Sequence, residues 1–147
     1  MTPPSIHPMS PDKVIDYFEH DADVGIVGRG ATLEQAFENA ARAMFAIITN
    51  IDAVVPKTVI TVEFEETDPE LALVIWLNHI LGTARQHGMV FNHFQLRRTH
   101  NHWLGELHGE PWRDNLERGT EVKGATLTML SVQSTKGIWE ARCVVDV

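Results

Sequence analysis

Acidic residues stand at three places where a chain built from strands and helices has no need of them for folding: the run Glu19-His20-Asp21-Ala22-Asp23, Glu121 with Lys123, and Asp146. In the last stretch, strand alternation puts Trp139, Ala141, Cys143 and Val145 on one face and Glu140, Arg142, Val144 and Asp146 on the other. Asp146 thus points away from the Trp139 face, and Val147 adds a terminal carboxylate beside it. Carboxylates grouped with main-chain carbonyls form the oxygen donor set that hard cations such as Ca²⁺ and Mg²⁺ take. A plainer account exists for each group. A terminal acid is usually solvated, Asp21 or Asp23 can satisfy a turn, and Glu121 and Lys123 at i, i+2 on a strand can be a surface pair of small energetic value.

Other chemistries find little support. The single cysteine, Cys143, excludes an internal disulfide and a thiolate zinc cluster. Because it alternates with Trp139 and Ala141, it reads as a core thiol. His100 and His102 flank a turn-forming Asn101, and no HExxH spacing occurs, which leaves His20, next to the acids, as the histidine of interest. Gly25, Gly28 and Gly30 lack the spacing and the Lys-Ser/Thr of a phosphate-binding loop.

The net charge of −8 repels phosphate backbones, so a role in RNA metabolism implies contact with a basic protein more than with RNA. No apolar run approaches the roughly 20 residues that cross a bilayer. The first eleven residues hold four prolines and no Lys or Arg, unlike a signal peptide. We therefore expect a flexible arm over 1–13, a single domain over 14–147 and a cytoplasmic setting.

The elements that must position these acids follow from periodicity. Val14 to Phe18 and Val24 to Val27 read as extended, separated by the polar His20 to Asp23 and ended by Gly28-Arg29-Gly30 as a turn. Thr32 with Gln35 forms a capping box for a helix carrying Leu33, Ala36, Phe37, Ala40, Ala41, Met44, Phe45 and Ile48. Val59 to Glu65 alternates as a half-buried strand. Asp68-Pro69-Glu70 starts a second helix through Leu71, Val74, Trp76, Leu77, Ile80, Leu81 and Ala84, ended by Gly88. Strands follow over Met89 to Arg98, Trp103 to His108, Thr120 to Ser134 and Ile138 to Val147. This predicts an α+β domain, two amphipathic helices on a mixed or antiparallel sheet.

The ordered set of motifs resembles the archease family. Glu19-His20-Asp21-Ala22-Asp23-Val24-Gly25-Ile26 is similar to its EHTADVGI, and Gly30 to Ala40 to its TLEEAFENA segment. Trp76-Leu77-Asn78 is similar to the start of WLNELL, Gly119 to Lys123 to GTEVKA, and Val144-Val145-Asp146-Val147 to VVVDI. The resemblance spans about Tyr17 to Val147. It implies a small α+β protein that activates an RtcB-type RNA ligase, promoting its guanylylation and multiple turnover in tRNA splicing, without being an enzyme itself. It further implies a divalent metal ion held by Asp23, Asp146 and Val147, Ca²⁺ first, with Mg²⁺ or Mn²⁺ as alternatives. His20, Glu121 and Lys123 would then face the ligase or its nucleotide, with RNA contacted through the ligase. Departures are Asp21 for a neutral residue, Gly124 for Ala and Thr128 for a frequent His.

Two other functions compete. Clustered carboxylates can hold catalytic Mg²⁺ or Mn²⁺ in a phosphoesterase or nuclease, although no base or nucleophile stands beside them. A general chaperone without a dedicated partner is the third reading. The metal reading makes a geometric demand: Asp23 and Asp146, about 120 residues apart, must converge.

Overall fold

The computed structural model describes residues 16–17 and 23–147. His20 and Asp21, and the arm expected over 1–13, lie outside the described residues. The elements are β1 (Asp16–Tyr17), β2 (Asp23–Gly30), α1 (Leu33–Ile48), a 3-10 turn (Ile51–Ala53), β3 (Thr58–Glu65), α2 (Pro69–His87), β4 (Met89–Thr99), β5 (His102–Pro111), β6 (Gly124–Ala125), β7 (Ser131–Thr135) and β8 (Ile138–Asp146). All pairings are antiparallel.

Sequence periodicity predicts one sheet, whereas the structure has two. The middle of the chain forms a three-stranded sheet in the order β3-β5-β4, and its two ends form a five-stranded sheet in the order β1-β2-β8-β6, with β7 also on β8. Alternation tells which face of a strand is buried, but not which strand is its neighbour.

Both helices start where their capping residues predict. Thr32 Oγ1 accepts from Gln35 N–H at 3.0 Å, and Gln35 Oε1 accepts from Ala31 N–H at 2.9 Å. Asp68 Oδ1 accepts from Glu70 N–H at 2.9 Å, and Gly88 closes α2 in the left-handed region at φ 62. On α1 the predicted stripe Leu33, Ala36, Phe37, Ala40, Ala41, Met44 and Phe45 is buried. On α2 the buried set is Ala72, Leu73, Trp76, Leu77, Ile80, Leu81 and Thr83, while Leu71, predicted inside, is 41% exposed. Trp76 lies under β5, where a Cβ on Gly105 would sit 2.4 Å from its ring.

Gly28-Arg29-Gly30 is not a turn. β2 runs through it, because a Cβ on Gly28 would stand 2.2 Å from Ala36 O and Ala40 N. The glycine lets α1 lie directly on the strand, so the local turn signal is overridden by close packing of helix on sheet. Cys143 is buried as expected, and burial pushes its thiol up to about 12.

The predicted strand Thr120 to Ser134 is broken into a coil, the short β6, a turn and β7. Val122 does go into the core, but the coil around it is fixed by side chains and by α1 instead of a ladder.

Candidate functional site

β2 and β8 lie side by side in a register that pairs Val24 with Val145 and Ile26 with Cys143 on the core face. These apolar pairs fix the register, since a one-residue slip would turn every one of them outward. The same register brings Asp23 opposite Asp146 at the end of the ladder. Directly opposed residues in an antiparallel pair have Cβ atoms about 4.5–5.5 Å apart, and both aspartates are half-buried. Farther along this outer face Arg142 pairs with Glu140 at 3.3 Å and Glu140 with Arg29 at 3.1 Å. The arginine expected next to Asp146 is thus committed elsewhere.

On the other side of β8, Gly124 is the partner of Asp146, and Lys123 N–H donates to Asp146 O at 2.7 Å. The segment bearing Glu121 and Lys123 therefore ends against the same residue that faces Asp23. Val122 is the buried plug of this segment, and the Glu121 and Lys123 side chains are exposed on either side of it. Glu121 and Lys123 are not on a strand, contrary to the sequence expectation.

Two residues of α2 hold this backbone in place, and sequence reasoning gave neither a role. Arg85 Nη2 donates to Val122 O at 2.6 Å and to Lys123 O at 2.8 Å. Asn78 accepts from Ala125 N–H at 2.8 Å through Oδ1 and donates to Ala125 O at 3.2 Å through Nδ2, so its amide stands in for a ladder rung beside β6. Seven residues is two helical turns, which puts Asn78 and Arg85 on one stripe of α2. Two polar residues at that interval beside an apolar stripe were the available signal. At its start the segment also caps α1, whose last carbonyls accept from Gly119 N–H (Ile48 O, 2.7 Å) and Thr120 N–H (Ile47 O, 3.0 Å).

Behind Glu121 opens a groove of about 470 Å³, floored by Phe45, Leu81 and Met89 and edged by Trp112, Arg118 and Glu121. Arg118 stacks over Trp112, its guanidinium carbon 4.0 Å from the ring centre. Neither Asp23 nor Asp146 lines the groove, so the groove and the aspartate pair are separate features.

The donor chemistry at the pair is all oxygen: two aspartate carboxylates, with Val147 following Asp146 directly in the chain. That set suits Ca²⁺ or Mg²⁺ and not a thiophilic metal. Among the described residues no three His, Cys, Asp or Glu side chains gather as a metal group. An ion here would complete its shell with main-chain oxygens and water. His100 sits in the β4–β5 turn at φ 57, and His102 Nε2 lies 2.9 Å from Glu63 Oε1, so these histidines do not join the site.

Comparison with known proteins agrees with the fold and the motifs. Residues 16–147 match the model of the Archease protein family. The chain is similar to Protein archease of Methanosarcina mazei, 34% identical over 94% of this chain and 99% of that protein. Protein archease of Pyrococcus furiosus is 32% identical, over 90% and 97% respectively. Among solved structures, the solution structure of protein 1598 of Methanobacterium thermoautotrophicum superposes with a TM-score of 0.78 at 30% identity, covering 91% of this chain and 99% of that one. The crystal structure of an archease from Thermotoga maritima, described as a possible chaperone, has a TM-score of 0.64 at 19% identity, over 97% and 100%, and shares the fold.

Proposed function

The chain belongs to the archease family, and from that premise we propose that it is a metal-binding accessory protein of an RtcB-type RNA ligase, promoting guanylylation and repeated turnover without catalysing a reaction itself. One observation supports the reading above the others: Asp23, Asp146 and the Glu121–Lys123 segment, far apart in sequence, meet at one end of one sheet. Asp23, Asp146 and Val147 hold a divalent ion, which neutralises two like charges that the core register forces together. Glu121 and Lys123 are exposed next to it and free to act on the ligase or its nucleotide; the family resemblance adds His20, which lies outside the described residues. The net charge of −8 suits a basic protein partner and keeps RNA contact with the ligase. No helix among the described residues is long and apolar enough to cross a membrane; a cytoplasmic setting is part of the proposed role.

The test is a multiple-turnover ligation with an RtcB-type ligase, RNA, GTP and metal. The chain should raise the number of turnovers, and Asp146→Ala should remove the effect while the domain stays folded. Equal turnover with and without the protein refutes the proposal. Phosphate or nucleotide released by the chain alone would point to a phosphoesterase or nuclease instead. Capture of many unrelated unfolded clients and no ligase would point to a general chaperone.

A further inference from the structure

The most exposed large apolar side chains among the described residues are Leu127 at 65% and Met129 at 62%. They occupy the turn between β6 and β7, which is bonded to Val144 of β8, two residues before Asp146. Four hydrogen bonds hold the turn. Thr126 gives both its N–H (3.0 Å) and its hydroxyl (2.7 Å) to Val144 O, Val144 N–H donates to Thr128 O at 3.2 Å, and Thr128 N–H donates to Thr126 Oγ1 at 3.2 Å. Met129 adopts φ 53, a left-handed conformation that glycine or asparagine would take at less cost. A tightly bonded backbone thus presents two large apolar side chains to solvent at i, i+2, one of them strained. Single exposed apolar residues are ordinary; here two stand together on one hydrogen-bonded turn. Leu71, 41% exposed, lies on the α2 stripe of Asn78 and Arg85, and the chain from Val122 to Ala125 follows that stripe toward it.

We infer that Leu127 and Met129 form an apolar anchor that inserts into a hydrophobic recess on the protein partner, beside the aspartate pair, with basic residues of the partner around the recess. The charge argues for this occupant. A second copy would bring together two bodies of −8, whereas a basic-rimmed recess matches both the apolar tip and the acids next to it. The anchor supplies affinity, and the neighbouring site residues supply the activating contacts. This inference rests on the accessory-protein reading above.

The experiment titrates the wild-type chain and the double variant Leu127→Ser/Met129→Ser into the RtcB-type ligase and follows multiple-turnover ligation. The double variant should need at least tenfold more protein for half-maximal stimulation, about 1.4 kcal/mol of binding, and should reach the same maximum. Leu127→Met/Met129→Leu should restore wild-type behaviour, since it keeps the apolar volume. Both variants should keep the wild-type melting temperature and its response to Ca²⁺, because the side chains face solvent. If wild type stimulates and the double variant has the same half-saturation, the anchor is refuted while the accessory role stands. A lowered maximum at unchanged half-saturation also refutes it. So does a concentration-dependent sedimentation difference between the two without the ligase, which would make the tip a self-association surface. If wild type gives no stimulation, the accessory reading itself falls, and the anchor with it.

Discussion

Replacing Asp23 by Asn changes charge with almost no change of volume, and the structure predicts effects of opposite sign with and without metal. In a chelator, Asp23 and Asp146 are like charges held directly opposite by the Val24–Val145 and Ile26–Cys143 register. Such a pair destabilises a sheet by about 0.2–1 kcal/mol. For a domain near 150 residues each kcal/mol moves the melting temperature by about 2–4 °C, so Asp23→Asn should melt up to about 4 °C above wild type. With the divalent ion at a hundred times its dissociation constant, wild type gains about 2.7 kcal/mol, equivalent to a rise of roughly 5–11 °C. The variant, lacking a ligand, should gain little, so the order of stability inverts. Thermal unfolding followed by circular dichroism, in chelator and then through a Ca²⁺ series repeated with Mg²⁺ and Mn²⁺, measures both arms. Asp146→Asn should behave alike, and the double variant should be little worse than either single one, because the two acids act on one ion. If wild type ignores all three ions and Asp23→Asn is not stabilised in chelator, the metal site does not exist and the opposed carboxylates need another explanation.

Other consequences can be checked independently. Arg85→Ala should leave the core folded but free the Val122 and Lys123 carbonyls, costing about 1.5–3 kcal/mol for charged hydrogen bonds. Hydrogen exchange at Lys123 N–H should accelerate and ligase stimulation should fall, with Arg85→Lys recovering only part. Gly28→Ala should lower stability by about 1–3 kcal/mol or more, since its Cβ would meet the α1 backbone at 2.2 Å, and a melting curve reads this directly. The Arg113 guanidinium, 2.8 Å from Glu110, and the Val55 N–H hold the Glu110 carboxyl below its ordinary value of 4.5. Its stabilisation is complete above that ordinary value and is lost as pH falls through the depressed one, because there the unfolded chain binds more protons. Denaturant melts across acid pH should show a shallower loss for Glu110→Gln than for wild type.

Much of the fold could be read where local chemistry decides. The caps at Thr32 and Asp68, the α1 stripe and the hairpin turns at Asn101 and Lys136-Gly137 lie where side-chain type and period demand. The failures come from contacts between distant segments. Gly28 and Gly30 signal a turn locally, yet they serve the approach of α1. Thr120 to Ser134 alternates like a strand, yet Arg85, Asn78 and the end of α1 take over its backbone partners. The acids of the site could be singled out because carboxylates there have no packing role, and their link to a function came from the family resemblance. The roles of Asn78 and Arg85 could not be read, because a side chain that bonds to main chain leaves no pairing pattern in the sequence. Of Leu127 and Met129 the sequence gives only apolarity, which reads as core until the turn is seen.

The placement of β8 bears on the order in which the molecule is made. The three-stranded sheet closes within 58–111, a continuous stretch with short connections, and can form early. β8 instead contacts β2 across more than a hundred residues while also carrying β6 and β7, and pairings at such separation are entropically slow to close. The aspartates are thus brought together by the pairing of longest sequence separation in the five-stranded sheet, the one with the largest loop-closure cost. A chain stalled during synthesis before residues 138–146 emerge lacks Asp146 and the strand that sets it opposite Asp23. A partner that recognises the assembled sheet end would engage finished molecules and pass over incomplete ones.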